Sequence, residues 1–324
     1  MIIWGISANS HDAAIAVFDY KMHGLSPKLK LGLQWASHSE RYSGKKNDAH
    51  LHPALISEAM TYGSPDNVVW YEKPLNKTLR QLWAGQGWNY NENNIKQYLG
   101  SYGIHAPISY VDHHRSHAAA GYYTSSFSDA TVVCLDSIGE FETLSVWNAA
   151  NAKMHRVLSQ RYPHSIGLWY SAMTQRIGLK PNEDEYILMG MAAYGDPNRL
   201  FSVVLQDFIN ASSDSPYIHL HHNLHKGCMW WRPDLNTEQD MFDIAAATQK
   251  VYEYILRRIL IWASESTPSK NLVLMGGCAL NCSANHIAYD HFENVWIMPN
   301  PGDSGSAIGS VLAHYKQKIK WPGP

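Results

Sequence analysis

The sequence lacks a strong excess of charge of either sign. Its 324 residues include 26 Lys and Arg and 28 Asp and Glu, which give a formal net charge of -2. Proteins that hold polymeric nucleic acid by neutralising its phosphates carry a basic surplus, so we do not expect polymeric nucleic acid as a partner. Because 45% of the residues are hydrophobic and 17% are charged, the chain can bury a large core in one domain or in two fused lobes.

Long hydrophobic runs are also missing. No uninterrupted apolar stretch of the sequence approaches the roughly 20 residues that span a bilayer. The segment Met1–Gly5 has no basic leader of the kind that opens a signal peptide. These features predict a protein that has no membrane partner, and we expect it in the cytoplasm.

Cysteine is scarce. The four cysteines, Cys134, Cys228, Cys278 and Cys282, contain no Cys-x-x-Cys pair. Four cysteines are too few for a disulfide scaffold, so we expect them to be reduced, with Cys134 and Cys278 in buried core elements.

The same arrangement of strands occurs twice in the sequence. In each half an apolar strand enters a short polar turn and returns as a second strand, which a third strand follows. In the first half the turn is Ser7–Asp12, and the second and third strands are Ala13–Phe18 and Leu31–Ser37. In the second half the first strand is Thr131–Leu135, the turn is Asp136–Glu140, and the second and third strands are Thr143–Trp147 and His155–Ser159. We therefore predict an α/β fold of two related lobes that face a cleft, with lobe one at residues 1–128 and lobe two at residues 129–324.

Apolar spacing predicts the other elements. We expect helices at 55–62, 77–99, 166–177 and 242–264, and strands at 67–71, 107–111, 271–275 and 294–298. The stretch from about 198 to 236 contains several His and Trp residues without a clear period. We predict that it forms an irregular insertion in lobe two.

A histidine pair stands where a predicted strand passes into a predicted helix. His113 and His117 are four residues apart, so on a helix they project from one face and can bind one metal ion. A third ligand could be Asp303, a lone carboxylate in a Gly-rich turn before an apolar helix. Two histidines and a carboxylate with open positions suit Fe²⁺ or another divalent transition metal. The alternative is a polar helix start whose histidines only cap the helix and contact solvent.

Three turns that contain glycine follow or precede predicted strands. They include Asp136, Ser137 and Gly139 in the first turn, Gly276, Gly277 and Asn281 in the second, and Ser304 in the third. Glycine permits close approach, and backbone N–H groups at a helix N-terminus bind anions. One such turn alone is usually only a sharp bend, but three in duplicated lobes predict a nucleotide in the cleft.

Seven motifs along the chain carry a specific resemblance. They are His11-Asp12, Glu40–Asp48, His113-His114-x-x-His117-Ala118, Asp136-Ser137-x-Gly139-Glu140, Met189-Gly190-x-Ala192-x-Tyr194-Gly195, Gly276-Gly277-x-Ala279-Leu280-Asn281-Cys282-x-Ala284-Asn285 and Asp303-x-Gly305. In this order they resemble the O-carbamoyltransferases that act on nodulation factors, aminoglycosides such as tobramycin, and cephalosporins. Those enzymes resemble the tRNA threonylcarbamoyl-adenosine transferases in this half, and both groups belong to the actin, sugar-kinase and heat-shock-protein ATPase superfamily.

The resemblance implies a transferase reaction. A carbamoyl-adenylate, derived from carbamoyl phosphate and ATP, would lie between the lobes, and its carbamoyl group would move to a hydroxyl of a small molecule. The implied metal is iron or a similar ion on His113, His117 and Asp303, and Mg²⁺ could accompany the nucleotide. The acceptor stays open among sugars, antibiotics and hydroxymethyl-pyrimidine nucleotides.

Four further residues are candidates for the chemistry of this reaction. Lys45 or Arg41 can neutralise the phosphate that leaves, and His11 or Asp12 can accept the proton of the acceptor hydroxyl. The alternative is that His11 and Asp12 are only hydrogen-bonded turn residues and that Arg41 lies in a solvated charged loop.

The sequence departs from the family pattern at two points. The family usually has Lys two residues before its Met-Gly-Leu-Ala segment, whereas Ile187 stands there in this chain. The family also continues into a domain that makes carbamoyl-adenylate, whereas this sequence ends at Pro324. We expect the adenylate to come from a further domain or a separate protein, with the alternative that this chain uses carbamoyl phosphate and ATP by itself.

Two other functions stay open. One is threonylcarbamoyl-type transfer to tRNA adenosine, which the lack of a basic excess and the segments 189–195 and 276–285 disfavour. The other is a sugar-kinase-like nucleotide-binding protein without carbamoyl chemistry. Such a protein needs Mg²⁺ with its nucleotide but no histidine-bound ion, so metal analysis distinguishes the two classes.

Overall fold

Two mixed sheets of five strands each form the centres of two lobes. The computed structural model describes residues 1–22, 29–210 and 215–321. The first sheet contains β1 (Ile2–Ser7), β2 (Ala14–Met22), β3 (Leu29–His38), β4 (Asn67–Trp70) and β5 (Ile108–Tyr110), in the spatial order β3-β2-β1-β4-β5. Strands β1, β2 and β3 pair antiparallel, and β4 and β5 extend the sheet parallel to β1.

The second sheet repeats this arrangement. It contains β6 (Asp129–Leu135), β7 (Glu142–Ala150), β8 (Lys153–Arg161), β11 (Asn271–Met275) and β12 (Asn294–Trp296), and a separate pair, β9 (Ile209–Asn210) and β10 (His219–Leu220), precedes β11 in the chain. The order is β12-β11-β6-β7-β8, with β6 to β8 antiparallel and β11 and β12 parallel to β6. The matching orders confirm the predicted duplication.

Helices connect the strands and cover the sheets. They are α1 (Glu40–Ser43), α2 (Pro53–Thr61), α3 (Pro74–Trp83), α4 (Ile95–Gly100), α5 (His113–Thr124), α6 (Ile166–Arg176), α7 (Glu185–Met191), α8 (Pro197–Phe208), α9 (Glu238–Ser266), α10 (Cys282–Asn285) and α11 (Ser306–Tyr315). The longest, α9, begins at a capping box in which Thr237 and Asp240 bind each other's backbone N–H groups. Within the described residues, none of these helices is long and apolar enough to cross a membrane.

Close packing of α11 against α5 and β1 joins the two halves of the chain. A Cβ atom on Gly309 would lie 1.9 Å from the carbonyl oxygen of Ser116, and one on Gly5 would lie 1.8 Å from that of Ala307. Ser310 also donates a hydrogen bond to the carbonyl of Val69 in β4. The backbone of α11 therefore lies directly against lobe one, and this contact carries the preceding turn to the N-terminus of α5.

The structure differs from the predicted elements in two places. The predicted helix 77–99 is divided into α3 and α4, because Gly85 and Gly87 adopt positive φ angles of 73° and 88° that end the first helix. The predicted irregular insertion begins instead with α8, whose Leu200, Val204 and Phe208 are buried at a spacing of four residues. Residues 211–214 of that insertion, and residues 23–28 and 322–324 of the predicted lobes, lie outside the described residues.

The cysteines are free thiols in this fold. Cys134 in β6 is buried as predicted, and Cys228 is buried too. Cys278, predicted to be buried, is partly exposed because it lies in the short 3₁₀ helix Gly277–Leu280 at the cleft rather than in a core element.

Candidate metal centre and cleft

Two histidines and two aspartates converge where the lobes meet. Nε2 of His113 lies 3.0 Å from Nε2 of His117. Oδ2 of Asp136 lies 3.0 Å from the first of these nitrogens and 3.6 Å from the second. Oδ1 of Asp303 lies 3.4 Å from His113 Nε2 and 3.2 Å from His117 Nε2. All four residues are buried.

Three separate elements deliver these four side chains. His113 and His117 occupy the first two turns of α5, which follows β5, and their spacing places both on one helix face. Asp136 follows β6, the central strand of the second sheet. Asp303 begins the 3₁₀ helix Asp303–Gly305, directly before α11. The predicted trio of His113, His117 and Asp303 is therefore brought together, and Asp136 joins it.

The donor atoms suit one bound cation. Ligand atoms about 2.0 to 2.2 Å from a metal ion lie roughly 3.0 to 3.5 Å from one another, and the separations in the cluster are close to that range. With its proton on Nδ1, His117 donates to Oγ of Ser306 at 3.2 Å and directs the lone pair of Nε2 into the cluster. Oδ1 of Asp303 is buried without a hydrogen-bond partner, as expected of an atom that binds a cation.

Charges within the cluster shift the pKa values of its members. Burial lowers the pKa of His117, but the adjacent carboxylates of Asp136 and Asp303 outweigh burial and raise the pKa to about 9. Burial would raise the pKa of Asp303, but the nearby His11 and His113 lower it to about 2. His114, one residue from His113, bonds instead to Oγ of Ser145, and burial lowers its pKa to about 3. His114 is therefore neutral and outside the cluster.

A cavity of about 250 Å³ lies beside the cluster and between the lobes. His11 and Asp12 of the first hairpin form part of its wall, and Asp136 and Asp303 belong to both the cavity and the cluster. The cavity therefore ends at the candidate metal ligands. A ligand in the cleft could contact an ion held there.

His11 connects the cavity wall to the cluster. Its Nδ1 lies 2.9 Å from Oδ2 of Asp12, and its Nε2 lies 3.6 Å from Oδ2 of Asp303. Asp12 has a φ of 54°, in the left-handed region that Asp adopts more readily than most residues. The charge of Asp303 raises the pKa of His11 to about 10.

The structure does not bring Lys45 and Arg41 into the cleft. Lys45 is 70% exposed, with Nζ 4.0 Å from Asp48, and Nε of Arg41 donates to Nε2 of His38. The next residue, Lys46, lines the cavity instead, with Nζ 4.3 Å from the ring centre of Tyr186. Lys46 also donates to the carbonyl of Glu183 in lobe two.

Some of the predicted nucleotide-binding residues line the cavity, and others lie beneath its wall. Ser137, Gly277 and Asn281 line the cavity together with Asp136, and Gly277 N–H donates to Oδ1 of Asp136 at 3.2 Å. Gly276 lies below the turn with a φ of 90°, and a Cβ there would lie 2.1 Å from the carbonyl oxygen of Leu135. Gly139 packs under the ring of His113, where a Cβ would lie 2.7 Å from Cδ2. Ser304 is buried in the turn before α11.

Sequence reasoning missed three residues of this region. Asp136 was predicted to be a nucleotide contact and lies among the candidate metal ligands. Lys46 lines the cavity where Lys45 was predicted, and Glu140 contacts the first residue of α5 from lobe two. The available signal for Asp136 was an acidic residue directly after a buried strand, but nothing local in the sequence distinguishes an anion-binding turn from a carboxylate that faces a metal.

Comparison with solved structures identifies the fold. The chain superposes on full-length HypF in its phosphate- and nucleotide-bound form with a TM-score of 0.51 at 12% identity, over 97% of this chain and 46% of HypF. The activator of 2-hydroxyisocaproyl-CoA dehydratase from Clostridium difficile, with bound ADPNP, gives a TM-score of 0.50 at 10% identity over 98% of this chain and 96% of the activator. The predicted duplicated fold of the actin, sugar-kinase and heat-shock-protein ATPase type is confirmed.

Sequence relatives are longer than this chain. The uncharacterized protein sll1178 of Synechocystis is 31% identical over 98% of this chain and 57% of its own length. The nodulation protein NolO of Bradyrhizobium diazoefficiens is 28% identical over 62% of this chain and 38% of its own length. The 3'-hydroxymethylcephem-O-carbamoyltransferase of Streptomyces clavuligerus is 25% identical over 47% of this chain and 29% of its own length. The chain thus spans about half the length, or less, of these relatives.

A family profile covers most of the chain. Residues 76–312 match the profile described as the carbamoyltransferase N-terminus. This match includes both histidines of the cluster and both aspartates. The resemblance inferred from the seven motifs is confirmed, and the chain belongs to the carbamoyltransferase family, in the region that forms the N-terminal part of its members.

Proposed function

We propose that this chain is the transfer half of an O-carbamoyltransferase, which moves a carbamoyl group from carbamoyl-adenylate to a hydroxyl of a small molecule. The observation that carries the proposal is the convergence of His113, His117, Asp136 and Asp303 at the inner end of the interlobe cavity. Membership of the carbamoyltransferase family supports the reaction type, and the similarity to the 3'-hydroxymethylcephem-O-carbamoyltransferase supports a hydroxymethyl acceptor.

A divalent metal ion fits the cluster on chemical grounds. Two imidazole nitrogens and two carboxylates match Fe²⁺ or another borderline divalent ion better than Mg²⁺, which prefers oxygen ligands and several waters. When bound, such an ion would act as a Lewis acid toward a carbamoyl or phosphate oxygen. Mg²⁺ would enter, if needed, with ATP.

The adenylate is expected against the second-lobe wall of the cavity. Ser137, Gly277 and Asn281 present hydroxyl, backbone and amide groups there, and Gly277 permits close approach. Lys46, from lobe one, supplies a cation to the cavity wall. We therefore assign the neutralisation of the leaving phosphate to Lys46 rather than to Lys45 or Arg41, which do not line the cavity.

His11 and Asp12 are placed to handle the proton of the acceptor. In the transfer step the acceptor oxygen forms a bond with the carbamoyl carbon, the bond from that carbon to the phosphate oxygen breaks, and AMP leaves. The hydroxyl proton passes to the carboxylate of Asp12 at the cavity wall, because the raised pKa of His11 keeps its imidazole, 2.9 Å away, protonated at neutral pH. No other part of the reaction requires a proton acceptor.

Mass spectrometry of a panel of hydroxyl compounds tests the proposal. The panel would include sugars, cephems with a hydroxymethyl group and hydroxymethyl-pyrimidine nucleotides, each incubated with the protein, Fe²⁺ and preformed carbamoyl-adenylate. A gain of one carbamoyl group on one class is expected. The Asp303→Asn variant should lose the product, and His105→Ala, which changes an exposed histidine outside the cluster, should retain it.

Two results would favour a different function. Carbamoylation or threonylcarbamoylation of adenosine in tRNA, without any small-molecule product, would support transfer to tRNA. Tight binding of Mg²⁺ and nucleotide without any ion on the histidines, and without product, would support a sugar-kinase-like protein.

A further inference from the structure

Glu140 of lobe two is bound by lobe one. It lies in the turn between β6 and β7 and is 5% exposed. Its Oε1 accepts a hydrogen bond from Lys73 N–H, and its Oε2 accepts one from His113 N–H at 3.4 Å. Its backbone carbonyl accepts a third from Nε of Arg80 at 3.2 Å. All three donors belong to lobe one, so Glu140 links the lobes.

The link ends at the helix that carries the histidines. The first N–H groups of a helix have no partner within the helix, and the side chain of the preceding residue usually binds one of them, at the second or third position. In α5 that residue is Asp112, which makes no such hydrogen bond and pairs with Nζ of Lys73 at 2.7 Å. Asp112 thus supplies no cap, and the N–H of the first residue, His113, is bound by Glu140 of the other lobe.

The same turn of lobe two encloses His113 on three sides. Asp136 reaches its Nε2, Gly139 lies against the ring so closely that a Cβ would be 2.7 Å from Cδ2, and Glu140 binds its backbone N–H. Residues 136–140 thus contact both the imidazole ring and the backbone N–H of His113. A shift between the lobes would move all three contacts at once.

We propose that Glu140 is a positioning residue that makes the geometry of the metal cluster depend on closure of the lobes. Its carboxylate holds the first turn of α5 so that His113 and His117 face Asp136, and without it the turn is free to move away from the second sheet. The inference rests on the cation site of the proposed function, but it concerns a residue that does not touch the ion.

Co²⁺ is a suitable probe, because its visible absorption reports the ligands and their geometry. We expect Glu140→Ala to weaken Co²⁺ binding at least tenfold, the range typical of groups that orient metal ligands, and to change the shape of the spectrum. Glu140→Gln keeps one acceptor oxygen and should recover most of the affinity. The matched control is Glu142→Ala, which removes a buried acid two residues away whose partners, Arg156 and Ser159, both lie in lobe two.

The outcomes separate the two proposals. If the unchanged protein does not bind Co²⁺, the cation site itself is wrong. If it binds Co²⁺ and Glu140→Ala binds with the same affinity and spectrum, the positioning role is overturned, even where thermal stability falls. Should Glu140→Ala fail to fold by circular dichroism, Glu140→Asp replaces it, since the shorter side chain cannot reach Lys73 and His113 together; an unchanged Co²⁺ spectrum and affinity in that variant overturns the role equally.

Discussion

Oδ2 of Asp136 lies 3.0 Å from Nε2 of His113, although the two residues belong to different lobes. One follows the central strand of the second sheet, and the other begins the helix after the last strand of the first. The ligand set therefore exists only when the lobes are packed together. Helix α5 itself packs against the second sheet: a Cβ atom on Gly121 would lie 2.4 Å from Cγ1 of Val273 in β11.

Removal of any ligand should lower the metal content of the protein. We expect Asp136→Asn, Asp303→Asn, His113→Ala and His117→Ala each to lose most of one equivalent of iron, because each removes a donor from a cluster of four. His105→Ala serves as the control. Elemental analysis after dialysis, with folding checked by circular dichroism, makes the measurement. Full iron content in both His113→Ala and Asp303→Asn would show that the metal site is elsewhere. Full iron content in Asp136→Asn alone would show that Asp136 is not a metal ligand and would support its predicted role as a nucleotide contact.

Metal binding should become tighter as pH rises. The pKa of His117 is raised to about 9, so in the metal-free protein the imidazole is protonated near neutral pH. A metal ion needs the neutral ring and must displace that proton. Affinity for Co²⁺ should therefore increase from about pH 6 to about pH 8, by up to roughly tenfold per pH unit for each proton released.

Calorimetry in two buffers with different ionisation enthalpies gives the number of protons released. We expect at least one at neutral pH. Equal heats in the two buffers, together with an affinity that does not change with pH, would contradict this prediction. They would mean that the histidines are already neutral in the metal-free protein and that the nearby carboxylates do not keep them protonated.

A side chain at Gly277 should weaken nucleotide binding. A Cβ there would lie 3.1 Å from Oδ1 of Asp136, and the methyl groups of valine would extend into the cavity. We expect Gly277→Val to bind an adenine nucleotide at least tenfold more weakly, or about 1.4 kcal/mol, by calorimetry. Gly190→Val is the control, because Gly190 is exposed and a Cβ there meets nothing within 4 Å. Equal affinities in the two variants would show that the nucleotide does not bind against this turn.

Stability should depend on the glycine contact between α11 and α5. Gly309→Ala would place a methyl group 1.9 Å from the carbonyl oxygen of Ser116, so the helices must separate, at a cost of about 2 kcal/mol or more. The same change at Gly190, within α7 and exposed, should be neutral or stabilising by up to about 1 kcal/mol, since alanine favours helix. Urea unfolding compares the two, and similar midpoints would show that α11 can shift without loss.

The source of the adenylate can be tested with purified protein. If this chain contains only the transfer cleft, supplied carbamoyl-adenylate should support transfer, whereas carbamoyl phosphate with ATP should not until an adenylate-forming domain or protein is added. In the described residues we assign one cleft, formed by the cluster and the cavity beside it, to the transfer step, and adenylation would need reactants preorganised in a second site or in this same cleft. Comparable rates from both starting mixtures would show that one cleft performs both steps.

The sequence alone determined what depends on local periodicity. The spacing of His113 and His117 is a property of any α-helix, and the two strand-turn-strand patterns predict two similar sheets because side chains alternate along a strand. Asp303 could be proposed as a third ligand since it is a lone carboxylate in a turn before an apolar helix. The family, too, was identified from motifs that are short and local.

Only the tertiary structure decided which of these groups meet across the lobes. Asp136 became a candidate ligand because β6 ends opposite α5, and Lys46 rather than Lys45 faces the cavity because of the course of a loop, in which adjacent side chains point in different directions. Glu140 binds the start of α5 only because the lobes are closed. Such contacts join residues far apart in the chain, and their distances depend on how closely the backbones pack, which local sequence patterns do not encode.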